Sequence, residues 1–308
     1  MSTPVAKPRR FMLRPPGPRP KASRRRLRRV AMLPALLTLG NLLCGFAAIH
    51  FAAKPVAPTG VFGWSTLTVA GSLIFVGMFF DAIDGLVARL VRSTSVFGAN
   101  LDSLADVVTF GVAPAFMMLR LVSHYYGPDG ATAIMGPEVD SVYARAAWAI
   151  AAVYICCTAL RLARFNAEQS AQDSEEAHRS FRGLPSPGAA GTVASLIVLH
   201  QHLLATTTAP AKEILIARAS AAVIPAITIL VALAMVSRLR YAHVTNRYVR
   251  GRHDFARVVK IVLPLAVAVW FPQISLAIGF TIYALTGPFH ALARRLRREP
   301  QAAPPPAA

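Results

Sequence analysis

The stretch from Asp81 to Asp106 reads DAIDGLVARLVRSTSVFGANLDSLAD and lies between the apolar runs GSLIFVGMFF and VVTFGVAPAFMM. It holds four of the 14 acidic residues of the chain, at positions Asp81, Asp84, Asp102 and Asp106. On a helix, residues three or four positions apart share one face, so each pair of aspartates predicts a polar face. Folded as a helical hairpin with its turn at Gly98, the stretch would bring the four carboxylates together.

Four ionised carboxylates beside hydrocarbon repel one another and lose the solvation that water gives them. Hard divalent cations with oxygen ligands, Mg²⁺ first, supply the compensating charge, so the cluster predicts a metal site. Pairing of the acids with Arg89 and Arg92 at a membrane edge is the structural alternative. The metal interpretation is favoured because intramembrane acidic residues are costly and are generally functional.

The composition of the chain predicts an all-α polytopic membrane protein. Of its 308 residues, 55% are hydrophobic, and the mean hydropathy is +0.48, which is more apolar than a soluble domain allows. The net charge of +19 lies mainly in the tails and in alternate loops, which indicates membrane orientation rather than nucleic-acid binding. Neither the three cysteines nor the eight histidines have the spacing of a disulfide framework or a metal site.

Apolar runs long enough to cross a bilayer predict a transmembrane helical bundle of about eight spans. Six of these runs form a predicted core: Met32–Ala53, Val61–Leu90, Leu101–Val122, Tyr143–Phe165, Pro185–Ala205 and Ile214–Val236. The further run from Arg257 to Thr286 contains Pro272 and predicts two short C-terminal helices. One long tilted helix, giving seven spans in total, is the alternative. Residues 31–290 form the predicted transmembrane domain.

The flanking and connecting segments set the predicted orientation. Residues 1–30 are rich in Pro and Arg and predict a disordered basic arm, which either lies on anionic headgroups or is inert. Residues 291–308 form a basic, Pro- and Ala-rich tail. Because basic residues fall in alternate connections, the positive-inside rule places both termini and the aspartates on the cytoplasmic side of the cytoplasmic (inner) membrane.

The spacing within the acidic stretch resembles the signature D-x2-D-G-x2-A-R-x8-G-x3-D-x3-D of the CDP-alcohol phosphatidyltransferases. Every fixed position is matched, by Asp81, Asp84, Gly85, Ala88, Arg89, Gly98, Asp102 and Asp106. The resemblance implies a membrane enzyme that transfers a phosphatidyl group from CDP-diacylglycerol to an alcohol and releases CMP. It also implies a homodimer formed through the membrane helices.

The same resemblance implies a role for each residue of the signature. Asp81, Asp84 and Asp102 correspond to ligands of Mg²⁺ or Mn²⁺, with two ions expected. Asp106 corresponds to a further residue at the metals that acts as the general base. The implied contacts to the CDP-lipid come from Asp84, Gly85, Ala88, Arg89 and Gly98. The alternative for Gly85 and Ala88 is ordinary packing of small residues between helices. The alternative for Arg89 is that its side chain extends to the membrane interface as an anchor.

Four segments resemble the membrane-integral phosphatidylserine synthases of that family: LPALLTLGNLLCGFAAI, SLADVVTFGVAPA, ALRLARFN and FRGLPSPGAAG. This resemblance implies L-serine as the acceptor, whose carboxylate suits planar guanidinium groups. Three arginines near the predicted cytoplasmic ends of spans are candidates to bind this carboxylate: Arg161, Arg164 and Arg182. The alternative is that they only set the orientation of the helices in the membrane. Ala35 replaces an asparagine usual in the family, so donor contacts there are expected to pass to Thr38 or Asn41.

Other acceptors and one other class of protein stay open at this point. Choline favours an aromatic cage, and the inner-facing segments offer arginines instead. Glycerol 3-phosphate would require a denser basic pocket, and inositol phosphate is a further alternative acceptor. A cation transporter is disfavoured because the acids lie at one interface and the sequence has no visible internal repeat.

Overall fold

A computed structural model describes residues 21–60, 62–91, 96–127, 134–138, 140–170, 181–241 and 270–296. Helices dominate this part of the chain: α1 Lys21–Ala53, α2 Thr66–Val91, α3 Val96–Asp106, α4 Ala113–Tyr126, α5 Val142–Ser170, α6 Ser186–Thr206, α7 Pro210–Val236 and α8 Pro272–Leu296. A π-helical segment, Val107–Val112, joins α3 to α4, so the chain runs as one helix from Val96 to Tyr126.

Seven helices within the described residues are long and apolar enough to cross a membrane. The prediction of an all-α polytopic membrane bundle is therefore confirmed, and the number of spans agrees with about eight. The last helix differs from the predicted one: α8 begins at Pro272, where a proline is accommodated in the first turn, and continues past Thr286 to Leu296. The predicted helix N-terminal to it lies mostly outside the described residues.

The first helix begins earlier than the predicted first span. It starts at Lys21, although its membrane-competent part runs from Leu33 to Ala53. Lysine, arginine and leucine are favourable helix residues, which accounts for a helix that extends back into the basic segment. Residues 1–20 lie outside the described part of the chain. The boundaries of the arm, of the transmembrane domain and of the tail stay predictions.

Two elements form the centre of the bundle, the α3–α4 helix and α6. Most of both is buried within the protein, whereas the other spans expose large apolar side chains such as Leu43 and Phe46. The buried face of α6 is rich in small residues, including Gly188, Ala190 and Gly191. Small residues let neighbouring helices approach closely in a membrane, where packing drives association.

A two-residue strand pair fixes the entrance to α6. Strand β1, Phe181–Arg182, pairs antiparallel with β2, Arg240–Tyr241. Gly183 follows with φ +89° and donates its N–H to the Leu239 carbonyl at 2.8 Å. A β-carbon at this position would collide with the Met235 carbonyl, so both the backbone angle and the close approach require glycine. The pair therefore anchors the start of α6 to the end of α7.

Candidate active site

Three of the four predicted carboxylates converge between α2 and α3. Asp81, Asp102 and Asp106 each present an oxygen, and the three oxygens lie within 4.8 Å of one another. The helical hairpin deduced from the spacing is thus present. Asp84 lies one turn further along α2, buried, and its Oδ2 accepts a hydrogen bond of 2.9 Å from Thr38 Oγ1 on α1. Asp84 therefore borders the three-carboxylate cluster without being part of it.

The residues present fit a divalent cation. Among the described residues, Asp102 Oδ1 and Asn41 Oδ1 are buried and have no hydrogen-bond partner. Buried polar atoms are normally paired, so two unpaired oxygens beside a carboxylate cluster indicate that something else satisfies them. All the atoms concerned are oxygens, the ligand type that Mg²⁺ and Mn²⁺ prefer. The cluster can hold a metal ion, whose identity the donor atoms do not distinguish.

Helix α1 supports the carboxylates through Asn41. This side chain is fully buried, and its Nδ2 donates to Asp106 Oδ1 at 3.2 Å. Its backbone carbonyl accepts a hydrogen bond of 2.9 Å from Thr109 Oγ1. Gly45 and Gly77 leave the room for Thr109, because a β-carbon on either would overlap its atoms. The predicted direct contacts of Thr38 and Asn41 with a CDP-lipid stay predictions; in the structure both residues bind aspartates.

A π-helical turn begins directly after Asp106. It covers Val107–Val112, and the Tyr154 hydroxyl on α5 donates to the Phe110 carbonyl within it at 3.1 Å. A π-turn widens the helix by one residue and changes the direction of the side chains that follow, and such turns are frequent at functional sites. This turn therefore allows α3 to present Asp102 and Asp106 to α2 while α4 remains packed in the core.

Arg161 and Arg164 lie three residues apart on α5 but have different surroundings. Arg161 Nη1 donates to Ser186 Oγ at 2.7 Å, and its charge acts on Asp106 and Asp81. Arg164 Nε instead pairs with Glu168 at 2.8 Å, with both side chains substantially exposed. The structure thus brings Arg161, and not Arg164, to the carboxylates.

The remaining predicted site residues have these positions. Gly85 and Ala88 continue α2 beyond Asp84, and a β-carbon at Gly85 would meet no atom within 4 Å. Gly98 lies in the first turn of α3, so its assignment to the turn between the helices was wrong. The polar run of Ser93–Ser95 precedes it, and Ser and Thr favour helix starts. The side chains of Arg89 and Arg182 lie outside the described part of the structure.

Sequence reasoning missed four features of the site. Ser186, the partner of Arg161, lay within a quoted loop but carried no signal of its own. Thr109 and the π-helical turn occur in an apolar run without a periodicity change that would reveal them. Tyr283 on α8 also lies close enough to Arg161 for the two groups to interact electrostatically. Only the three-dimensional packing of α8 against α6 reveals its position.

The fold and the carboxylate cluster define an integral membrane protein with a candidate metal site between two adjoining helices. The profile of the CDP-alcohol phosphatidyltransferase family matches residues 31–236. The chain belongs to this family. The matched range contains all four aspartates and both Arg161 and Ser186, and it ends at the last residue of α7.

Several curated proteins are similar to this chain, and three that carry the name CDP-diacylglycerol–serine O-phosphatidyltransferase illustrate the range. The Helicobacter pylori protein is 32% identical over 168 residues, 54% of this chain and 58% of that protein. The Bacillus subtilis protein is 32% identical over 155 residues, 50% of this chain and 69% of that protein. The Methanocaldococcus jannaschii protein is 28% identical over 262 residues, which are 85% of this chain and 94% of that protein.

Proposed function

We propose that this protein transfers the phosphatidyl group of CDP-diacylglycerol to the hydroxyl of L-serine, giving phosphatidylserine and CMP. The observation that carries the proposal is the convergence of Asp81, Asp102 and Asp106, with Arg161 close enough for its charge to act on two of them. This arrangement combines a site for cations with a fixed guanidinium group. The names of the similar proteins support both the donor and the acceptor.

The proposed reaction is a displacement at phosphorus. The serine hydroxyl oxygen forms a bond to the phosphorus that carries the diacylglycerol, and the bond from that phosphorus to the CMP oxygen breaks. Asp106 accepts the hydroxyl proton, and Asn41 Nδ2 holds its carboxylate in place at 3.2 Å. CMP leaves with the electron pair of the broken bond. Positioning of the hydroxyl against the phosphorus supplies much of the rate enhancement.

A divalent ion would be held by Asp81, Asp102 and Asp106, with Asp84 as a further predicted ligand, and when bound it would supply charge neutralisation for the pyrophosphate and for the departing CMP. Around it, the chain's own residues set the geometry. Thr38 orients Asp84, and Asn41 orients Asp106. Gly85 leaves open space on the same helix, which suits close approach of the nucleotide to the backbone, as the family signature implies.

The acceptor side of the proposal rests on Arg161. Its guanidinium is partly buried. Among the described residues it donates one hydrogen bond, to Ser186, and its further N–H groups are available for a ligand. A carboxylate accepts such donors in a planar, bidentate manner. Arg182, at the strand pair beside the start of α6, stays a predicted contributor. The exposed ion pair of Arg164 with Glu168 makes that residue the weaker candidate.

The test is an acceptor-dependent assay on purified protein in detergent with CDP-diacylglycerol and Mg²⁺ or Mn²⁺. CMP release is followed with L-serine, choline, glycerol 3-phosphate or inositol phosphate, and with Asp106→Asn beside the wild-type chain. We expect release that requires serine and is lost in the variant. Release with a different acceptor would refute the serine assignment. No release with any acceptor, from folded protein with metal present, would refute the transferase proposal itself.

A further inference from the structure

Helix α8 lies beyond the range matched by the family profile, yet it packs along the start of α6. The Tyr283 ring lies over Gly188, where a β-carbon would be 2.7 Å from Tyr283 Cε1. One turn further along α6, the Phe280 ring lies against Gly191, and Thr192 Oγ1 donates to the Phe280 carbonyl at 3.2 Å. The two helices are therefore antiparallel, and glycine allows the rings of α8 to contact the backbone of α6.

This packing brings Tyr283 to the acceptor side of the candidate site. Gly188 is two residues after Ser186, whose hydroxyl binds Arg161 at 2.7 Å. The charge of Arg161 acts on Tyr283 as well as on Asp106 and Asp81. Arg161 thus interacts electrostatically both with the carboxylate cluster and with the α8 tyrosine.

The position of Tyr283 is fixed by a second tyrosine. The ring of Tyr241 lies 6.0 Å from that of Tyr283, and its hydroxyl donates to the Ala284 carbonyl at 3.2 Å. Burial raises the pKa of Tyr241 to about 12, and Tyr283 adds to the rise, so the hydroxyl remains a neutral donor. Gly287 leaves room for the Tyr241 ring. The hydroxyl of Tyr283, in contrast, makes no hydrogen bond to any residue that the structure describes.

We propose that Tyr283 is a specificity-determining residue of the acceptor subsite, where its hydroxyl and the Arg161 guanidinium together bind the carboxylate of an amino-acid acceptor. The inference rests on the proposed function. A carboxylate accepts hydrogen bonds from both groups at once, whereas an amino alcohol without a carboxylate leaves both donors unpaired. A site built to hydrogen-bond a substrate group discriminates strongly against an analogue that lacks the group.

The experiment compares Tyr283→Phe with the full-length wild-type chain in detergent, with CDP-diacylglycerol and Mg²⁺. CMP release is measured as a function of L-serine, of ethanolamine and of CDP-diacylglycerol. We expect the KM for serine to rise about tenfold, as for loss of a hydrogen bond to a charged group. The KM for CDP-diacylglycerol should be unchanged, and the preference for serine over ethanolamine should fall by the same factor as serine binding.

Tyr126→Phe is the matched control. The Tyr126 hydroxyl donates to the Arg218 carbonyl at 2.8 Å on an exposed surface away from the carboxylates, so neither Michaelis constant should change. Thermal unfolding of each variant in detergent separates loss of folding from loss of binding.

The outcomes separate the two proposals. Wild-type protein that does not respond to serine refutes the proposed function, and with it a carboxylate subsite. Wild-type protein that responds to serine, with an unchanged serine KM and an unchanged serine-to-ethanolamine ratio in Tyr283→Phe, overturns the role of Tyr283 alone. A lowered unfolding temperature of Tyr283→Phe, with an equal loss of activity for all substrates, also overturns the proposed role, because a residue needed only for folding would give that result.

Discussion

Asn41 is the residue through which the first helix acts on the candidate site. Its Nδ2 donates to Asp106, its carbonyl accepts from Thr109, and its Oδ1 has no partner among the described residues. A neutral amide beside acidic groups can donate to one carboxylate and present an oxygen to a cation with the same side chain. Partners of this kind orient the ligands of a metal and affect its affinity.

Replacing Asn41 with Leu should lower turnover without unfolding the protein. The substitution keeps the branched shape of the side chain but removes the bond to Asp106 and the spare oxygen. Loss of such a partner reduces metal affinity or activity by about 10–100-fold. The measurement is CMP release as a function of Mg²⁺ concentration. Ser72→Ala serves as the control, because the hydrogen bond that Ser72 Oγ makes among the described residues stays within α2, to the Thr68 carbonyl. Equal activity of Asn41→Leu and wild type would contradict this role.

The different surroundings of the two α5 arginines predict different effects of the same substitution. Arg161→Gln should raise the KM for the acceptor by at least about tenfold, because hydrogen bonds to charged groups contribute strongly. Arg164→Gln removes an exposed pair with Glu168, and such pairs contribute about 0–1 kcal/mol, so a much smaller change is expected. Steady-state kinetics with serine as the varied substrate measures both. A larger effect at Arg164 would contradict the placement of Arg161 beside the ligand.

At the residue scale, spacing predicted the acids but not their neighbours. The intervals of three and four residues identify Asp81, Asp102 and Asp106 because a shared helix face follows directly from geometry. The same argument grouped Arg161 with Arg164, which the structure separates. Helical spacing indicates which residues share a face, but the partner opposite that face is set by another helix. Ser186 is such a partner, and no local pattern marks it.

At the scale of the helical element, two glycines of α2 have opposite surroundings. A β-carbon on Gly77 would lie 2.7 Å from Thr109 Cγ2 and 2.9 Å from Asn41 Oδ1, whereas one on Gly85 would meet no atom within 4 Å. Gly77 is therefore required for the packing of α2 against α1 and the π-helical turn. Gly85, which belongs to the family signature, is not required by packing against any residue that the structure describes.

Alanine at these two positions should separate folding from donor binding. Gly77→Ala overpacks the junction, which costs about 1–3 kcal/mol, and should lower the unfolding temperature. Gly85→Ala should not lower the unfolding temperature, because alanine is the better helix residue. It should raise the KM for CDP-diacylglycerol, because the methyl group enters the space proposed for the nucleotide. Gly279→Ala, also in open space, is the control for a neutral exchange. An unaltered KM in Gly85→Ala would argue against donor contact at this residue.

Most helices could be predicted from apolar run length, whereas local irregularities could not. The π-helical turn after Asp106 depends on contacts such as Tyr154 with Phe110, which come from a distant part of the chain. The position of Gly98 was misassigned because glycine is compatible both with a turn and with the first turn of a helix. The predicted apolar run ends at Thr286, whereas α8 continues through the basic ARRL sequence to Leu296, because arginine and leucine are favourable helix residues.

For the whole molecule, the carboxylate cluster should couple metal binding to stability. Mg²⁺ or Mn²⁺ at 100 times its dissociation constant stabilises a folded protein by about 2.7 kcal/mol when it binds only the folded state. We therefore expect the unfolding temperature in detergent to rise on metal addition and to fall with EDTA. Activity should be lost and restored in parallel.

Asp102→Asn gives this prediction its control. Removing one charge relieves repulsion among the acids, so the metal-free variant should be at least as stable as metal-free wild type. The variant should also lose most of the stabilisation by metal. An equal rise in unfolding temperature in both proteins would show that the ions act elsewhere on the chain.

The arrangement of the whole chain in its membrane follows only partly from the described helices. Tyr241, after the end of α7, contacts α8 at Tyr283 and Ala284, and α8 runs antiparallel to α6. An eighth span between α7 and α8, a cytoplasmic orientation of the site and both termini, and a homodimer stay predictions. The charge of the loops supports the predicted orientation of the protein in the membrane. The packing of helices within one chain gives no argument for a dimer.

The strand pair at the entrance to α6 has a consequence for substitutions at the far end of α7. Because β1 is hydrogen-bonded to β2 and Gly183 is held against the end of α7, the position of Ser186 depends on the backbone at that end. A substitution that shifts the backbone at Met235 would therefore displace the hydroxyl that holds Arg161.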